Sequence, residues 1–550
     1  MRLYVKGFGS LRNYSLFLRM LFHAQQIAYH QTGSFSKIIL DYLEGAEGLR
    51  SYYEAPPTWQ GMEEAIKVKG QQPLDRSALV QVLKEQYSTV ECPAAVATNI
   101  ESLLSPGTFT VCTAHQPNLF SGPLFFIYKI LHAIRLAGEL NKTFTDARFV
   151  PVYYMGSEDA DKEELNHTYV SGKRYDWQTA QTGAVGRMVV DASITQLLAG
   201  ITGQLHVLPY GGDVMSLLEQ CYTPGKTIQQ ATFELVHALF ARYGLVVLIP
   251  DHGVLKKLMR PVFEDDLFRQ TPSAIVEQTG AALGKQYNIQ AHPRDINLFY
   301  LEQGIRNRIV KQDEHFHVHD TDLRFTESEL KALLQESPER FSPNVILRGL
   351  FQETILPNVA FIGGGGELAY WLQLKELFRH YSVPFPVLLL RNSFLVVEKA
   401  ARQRIEKWQL SPSDLFQTEL QIINSLLAQQ GKLPHLNGEA AQLSAVYEDL
   451  KKLVAGVDVT LAQHVAALKT SALKRVEILE KKLARAERRK HQALQHQVRQ
   501  LKENLFPYNG LQERVENFSS FYAKWGSGFI DQLLQHSLAL EQQFTVLTEA

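Results

Sequence analysis

Cysteine is scarce in this 550-residue chain, which has only Cys92, Cys112 and Cys221. Three thiols, odd in number and far apart, exclude a disulfide framework and a thiolate zinc cluster and fit a reducing cytoplasm. An excess of one charge is also missing: 56 Lys and Arg stand against 57 Asp and Glu, a formal net charge of −1. General attraction to nucleic acid or to an anionic membrane is therefore not expected. Long apolar runs are absent too. The patch Leu16-Phe17-Leu18 is broken by Arg19, and no small-residue cleavage site follows, so neither a signal peptide nor a membrane span is expected.

What remains is the balance of an ordinary globular protein, 45% hydrophobic and 21% charged, with room for two to four domains at roughly 150 residues each. The first hundred residues read as helix and turn, broken at Pro56-Pro57 and Pro73. Stronger signals begin at Thr108. The apolar run Phe109-Thr110-Val111-Cys112 breaks into the polar turn Ala114-His115-Gln116-Pro117-Asn118, and a long apolar helix follows from Gly122-Pro123. Pro suits the first helical position, with Ser121 or Gly122 as cap. Strand, polar turn and helix start form an anion-binding corner, because the helix N-terminus offers free N–H groups and a partial positive charge. His115 and Gln116 would sit over that corner, with Lys129 as support.

The unit repeats. Residues 149–155 are a second apolar run, followed by Gly156-Ser157-Glu158-Asp159-Ala160-Asp161. Ligands of open parallel sheets collect outside the carboxyl ends of the strands, so the His115 and Glu158 turns are expected to share one crevice. A segment at 171–223, richer in Gly, Thr and Gln, reads as an insertion that shapes a pocket. Residues 245–249 form a third run, closed by Pro250-Asp251-His252, and 260–348 form a second, less regular insertion. Within it, residues 297–301 and 308–310 read as paired strands about the Glu302-Gln303-Gly304 turn. The run at 359–362 leads into Gly363, Gly364, Gly365, Gly366 and Glu367, where glycine permits positive φ and close approach to a phosphate or adenine. Its spacing is not that of a dinucleotide fingerprint. A last run at 386–390 ends in Arg391-Asn392-Ser393. Five apolar runs with interspersed helices predict a doubly wound α/β core.

The pattern changes after about Ser411. Val465, Leu468, Ala472, Val476, Leu479, Leu483 and Ala486 keep a 3-4 spacing, then a stutter precedes Leu494, Val498, Leu501 and Leu505. This predicts a coiled coil that locally unwinds, with residues 439–454 as an antiparallel partner helix. The expected division is a core at 1–410, a helical arm at 411–506 and terminal helices at 507–550 that pack back on the core.

Several motifs resemble one known family, the cysteine-adding enzymes of bacillithiol biosynthesis, BshC. They are His115-Gln116-Pro117-Asn118-Leu119-Phe120-Ser121-Gly122-Pro123, Gly156-Ser157-Glu158-Asp159-Ala160-Asp161 with Asn166-His167, Ser342-Pro343-Asn344-Val345-Ile346-Leu347-Arg348, Ile362 to Trp371 around the glycines, and Leu511-Gln512-Glu513-Arg514. Gly365 stands where many members carry Pro. The resemblance spans nearly the whole chain. It implies a Rossmann-like core with inserted connecting segments, a homodimer held by the coiled-coil arm, and a last biosynthetic step joining the carboxyl of cysteine to the amine of glucosaminyl malate. Activating a free carboxylate calls for ATP with Mg²⁺ and for no organic prosthetic group; an acyl-adenylate and an acyl-phosphate both remain open.

On this reading His115, Gln116, Glu158 and Asp159 are the candidate catalytic residues. Asn118, Ser121, Gly122, Lys129, Asp161, Asn166, His167, Asp251, Gly363 to Gly366, Glu367, Tyr370, Arg391, Asn392 and Ser393 are candidates for binding substrate or nucleotide. Plainer explanations compete: Ser157 or Asp159 as a helix cap, Tyr370 and Trp371 as core, and Arg391-Asn392-Ser393 as an ordinary helix start. No metal ligand is assigned. His315, His317 and His319 would share one strand face, but ligands from a second element are missing. Two alternatives stand beside the ligase: a nucleotide-binding α/β protein with another amide-forming or metal-dependent hydrolytic role, and a non-catalytic coiled-coil scaffold.

Overall fold

The computed structural model describes residues 22–433 and 435–550, so the apolar patch at 16–18 lies outside the described residues. Its central sheet is built from Thr108–His115 (β1), Arg148–Met155 (β2), Val246–Leu248 (β3), Asn358–Gly363 (β4) and Val387–Leu390 (β5). These are the five runs marked by sequence. Their order is β5-β4-β1-β2-β3, and every neighbouring pair is parallel. Strands β4 and β5 are buried throughout, and β2 is buried beyond Arg148. That burial explains their continuous apolarity: helices cover both faces, so alternation would place polar groups in the core.

The chain winds outward from β1 to β3, then returns to lay β4 on the other side of β1. The topological switch point therefore falls between β1 and β4, where crevices open in doubly wound sheets. Helix α1 (Phe125–Thr143) covers this junction. Its Ala133, Leu136, Ala137 and Leu140 pack with Phe109, Val111, Phe149, Val359 and Leu389 in one buried cluster, each large side chain contributing about 1.5–3 kcal/mol of burial. The Rossmann-like, doubly wound core is as expected.

The insertions are more ordered than their composition suggests. In 171–223, helix Ala192–Leu205 buries Ile194, Leu198, Ile201 and Leu205, a helical spacing diluted to the eye by Gly and Thr between them. The segment 260–348 carries a five-stranded antiparallel sheet, with Leu298–Glu302 and Ile305–Gln312 paired about Gly304 at φ 74°. His315 and His317 share the partly exposed face of strand His315–Val318, opposite buried Phe316 and Val318. Among the described residues no group of three or more His, Cys, Asp or Glu is placed to hold a metal ion. No described helix is long and apolar enough to cross a membrane.

Among the described residues, one compact unit comprises 22–396 together with Gly510–Thr548; the second is Val397–Asn509. The second unit thus starts at 397, before the expected 411, because helix Lys399–Trp408 belongs to it. Residues after 510 form two helices, as read, but also the strand Phe544–Glu549, between Phe22–Ile27 and Ser393–Val397. In the arm, α4 (Asn437–Ala455) pairs antiparallel with α5 (Val459–Lys490), Lys469 meeting Glu448 at 2.6 Å and His435 meeting Glu480 at 3.4 Å. The helix breaks at His491 before α6 (Gln492–Leu505), where the heptad pattern stutters.

Candidate active site

Four strand ends converge on a cavity of about 360 Å³. Strand β1 supplies His115 and Gln116, the turn after β2 supplies Gly156 and Asp159, the loop after β4 supplies Gly364 to Gly366, Glu367 and Tyr370, and the end of β5 supplies Arg391. Lys129 enters from α1, Arg348 from α2 (Val345–Ile355), Glu164 from the turn beyond Asp159, and Arg514 from the C-terminal segment. The His115 turn therefore faces the glycine loop across the switch point as well as the Asp159 turn.

His115 packs edge-on to Phe125 and tilted on Phe126, and its buried Nε2 has no hydrogen-bond partner among the described residues. Burial, then the charges of Lys129 and Arg391, push its pKa well below 6.5. The imidazole is neutral at physiological pH, free to exchange a hydrogen bond or a proton with a ligand. Lys129 is 1% exposed, donates to the Ala114 carbonyl at 2.7 Å and pairs with Glu367. Asp159 accepts from Arg348 at 3.1 Å and from Gln116 at 3.3 Å. Burial opposes its charge, but Arg348 and Arg306 prevail and hold its pKa down at about 2. Glu164 differs. Among the described residues its carboxylate has no ion-paired partner, and burial with the repulsion of Asp159 and Asp161 raises its pKa above 4.5. A carboxylate made more basic in this way suits a proton acceptor.

The positive φ that the glycines permit is not used, since none of Gly363 to Gly366 adopts it. Gly363 is instead closed in by the protein itself: a Cβ there would stand 2.8 Å from Leu368 and Phe361 side-chain atoms. Helix α3 (Gly365–Trp371) begins at Gly365, a first-turn position where Pro would also be accommodated. Its cap is internal, Gly364 N–H donating to Glu367 Oε2 at 2.7 Å.

Other candidates lie behind the cavity wall. Helix α1 starts at Phe125, not at Pro123, because Phe120, Ser121 and Gly122 take φ of 51°, 73° and 64° and Asn517 holds this turn, donating to the Phe120 and Gly122 carbonyls at 2.8 and 2.6 Å. Leu124 N–H donates to the Glu516 carbonyl, so this corner is filled by the protein's own chain, and Asn118, Ser121 and Gly122 shape the turn. Glu158 is buried and paired with Lys256, which also contacts Asp251; Arg187 grips Asp251 through two nitrogens at 2.7 and 2.8 Å. Neither Glu158 nor Asp251 lines the cavity; they fasten the β2 and β3 turns together. Asp161 caps helix Lys162–Leu165, His167 Nδ1 lies 3.1 Å from the Glu163 carbonyl, and Asn166 also stays outside.

Asn392 and Ser393 are buried scaffolding. Ser393 Oγ accepts from Arg391 at 3.2 Å, and Asn392 Nδ2 donates to the Leu538 carbonyl at 2.9 Å. The Asn392 N–H donates to His132 Nδ1 at 3.2 Å, so His132 carries its proton on Nε2 and donates to Ala539 O at 2.8 Å. Burial drives the His132 pKa down to about 4. The unfolded chain then binds a proton that the native one refuses below about pH 6.5, so stability falls as pH drops from there to about 4, by on the order of 3 kcal/mol. Denaturant unfolding at pH 7 and pH 4.5 is expected to show this loss, and His132→Gln to reduce it; an equal pH slope in the two proteins would refute the assignment.

Sequence reading missed three lining residues: Glu164, Arg348 and Arg514. Arg348 and Arg514 each stood last in a recognised motif without a role. Glu164 was hidden among five acids at 158–164, where only folding distinguishes the two, Asp159 and Glu164, that face the cavity.

Comparison with known proteins bears on both units. Residues 22–392 match the model described as bacillithiol biosynthesis BshC, N-terminal Rossmann-like domain, and residues 394–549 match bacillithiol biosynthesis BshC, C-terminal coiled-coil domain. The chain is 39% identical over 503 residues to a protein of Cytophaga hutchinsonii, covering 91% of this chain and 94% of that one. It is 37% identical over 525 residues to one of Flavobacterium johnsoniae, covering 95% and 99%, and 31% identical over 527 residues to one of Salinibacter ruber, covering 92% and 95%. All three bear the name "Putative cysteine ligase BshC".

Proposed function

The chain belongs to the bacillithiol biosynthesis BshC family, and from that premise we propose that it joins the carboxyl of cysteine to the amine of glucosaminyl malate, using ATP to activate the carboxyl. One observation carries this reading: at the β1–β4 switch point a neutral histidine with a free Nε2, a cation-rich wall and a single unpaired carboxylate face the same cavity. Amide formation needs those three properties together. Negative charge grows on the activating phosphoryl group, which Lys129 and the His115 imidazole stabilise. The attacking amine must shed a proton, which Glu164 accepts. Asp159, fixed by Arg348 and Gln116, holds the ammonium form of the incoming amine until then.

The fit to Mg²⁺ is a loose one. Asp159 and Glu367 already have cation partners, leaving Glu164 as the one lining carboxylate free to approach the ion. A metal carried mainly by nucleotide phosphates, as Mg²⁺ commonly is, matches that supply. The nucleotide provides the leaving group; the chain provides position, charge and a proton acceptor. The three cysteines are free, in keeping with work in the cytoplasm.

Purified protein incubated with cysteine, glucosaminyl malate, ATP and Mg²⁺ is expected to yield the thiol amide by mass spectrometry. AMP beside it indicates adenylate activation, ADP an acyl-phosphate; absence of product from folded protein refutes the ligase reading.

The arm completes the proposal as a dimerisation element. Leu461, Leu468, Leu479 and Leu483 on α5 are 37–50% exposed, an apolar stripe of the kind a second helix pair covers. Leu479→Glu with Leu483→Glu is expected to halve the mass measured by light scattering while leaving the far-UV spectrum unchanged. A wild-type protein already monomeric at micromolar concentration would end this part of the reading.

A further inference from the structure

The cavity wall carries four cations, and three already have a carboxylate partner within the chain. Lys129 pairs with Glu367, Arg348 with Asp159, and Arg391 with Glu513 at 2.7 Å. Arg514 is different: among the described residues it has no hydrogen-bonded or ion-paired side-chain partner, yet it lines the same cavity. Its position is built, not incidental. Gln512 Oε1 accepts from Val396 N–H at 3.0 Å, and its Nε2 donates to the Val396 carbonyl at 3.2 Å. Glu513, fully buried, accepts from Arg391 and from the Phe394 N–H at 3.2 Å. Three residues further on, Asn517 grips the Phe120–Gly122 turn. The 3₁₀ turn Gln512–Arg514 is thus clamped on both sides, and of its three side chains only Arg514 is turned outward and exposed.

We propose that Arg514 is the specificity residue for the acceptor, its guanidinium binding a carboxylate of the malyl group of glucosaminyl malate. This rests on the ligase reading above. Arginine presents a planar pair of donors that matches a carboxylate bidentately. The reacting groups, the cysteine carboxyl and the phosphoryl group, belong at the cavity floor beside buried His115 and Lys129. The malyl carboxylates do not react, so they fall to the rim, where Arg514 stands exposed. Partial burial and the nearby Arg391 charge both work against the Arg514 cation, a tension that a bound carboxylate relieves. Glu513 and Gln512 act as positioning residues through Arg514.

Calorimetric titration tests this on the full-length protein with glucosaminyl malate, methyl glucosaminide and Mg-ATP as separate probes. In Arg514→Gln the Kd for glucosaminyl malate is expected to rise about 10- to 100-fold, with partial recovery in Arg514→Lys. Affinities for methyl glucosaminide, which lacks the malyl group, and for Mg-ATP stay within about twofold of wild type. Steady-state turnover should show the same change in KM for the acceptor, with KM for cysteine unmoved. Equal glucosaminyl malate affinity in wild type and Arg514→Gln overturns the proposal, and so does a loss confined to Mg-ATP, which would make Arg514 a phosphate contact. Wild-type protein that binds glucosaminyl malate through Arg514 but forms no amide would leave this subsite standing while the ligase reading falls. Wild-type protein that binds none refutes both.

Discussion

Amide formation by His115→Ala is expected to drop by about 10²- to 10³-fold, the usual cost of removing one group that stabilises charge in a water-poor site. The KM for the acceptor should change much less than kcat, because the ring lies at the β1 end and not at the rim. Its pKa sits well below 6.5 through burial and the charges of Lys129 and Arg391, so His115 contributes no titration between pH 6.5 and 8. The acidic limb of the wild-type rate profile due to this ring accordingly lies well under pH 6.5. A thermal melt guards against misreading, since the substitution also removes ring contacts with Phe125 and Phe126. A folded His115→Ala protein within about threefold of wild-type kcat would move the chemistry away from the β1–β4 junction.

The second large effect is on stability. Arg391→Met is expected to destabilise the core unit by about 3–5 kcal/mol, because it strands the Glu513 carboxylate, fully buried, without its cation. That is a large share of the roughly 5–15 kcal/mol that holds a typical domain. Pairing it with Glu513→Gln should recover much of the loss, since a neutral amide still accepts from Phe394 N–H and carries no buried charge. Urea unfolding of the two single variants and the double variant measures the coupling directly. Additive losses in that cycle would mean that the pair does not clamp the C-terminal segment to the β5 end.

These two residues also separate what the chain spells out from what it conceals. Five apolar runs, each long enough for one strand and closed by polar residues, were legible as the five core strands, since a sheet covered on both faces must be apolar throughout. The heptads of 465–505 and their stutter were equally legible, because both are repeats local to one helix; that the helix itself breaks at His491, within the stutter, was not. His115, Gln116 and Asp159 followed from the rule that sites gather at carboxyl ends of parallel strands. Other acids lie outside the cavity for a consistent reason. Glu158 and Asp251 occupy positions of the same kind as Asp159, yet buried Lys256, contributed by a segment a hundred residues after Glu158, takes both out of the cavity. Ser121 and Gly122 looked like a helix cap because the local pattern permits one; Asn517, nearly four hundred residues away, bends that turn into positive φ instead.

By itself, then, the sequence determined the fold class, the helical arm and which strand ends meet at one crevice, since hydrophobic period and turn composition act over a few residues at a time. Only the tertiary structure decided which charges are spent on one another and which stay free. Arg391, Glu158 and Asp251 are consumed by partners distant in the chain, whereas among the described residues Glu164 and Arg514 form no ion pair. The physical reason is that a charge is functional or structural according to what folding places within a few ångströms of it, and no local pattern encodes that distance.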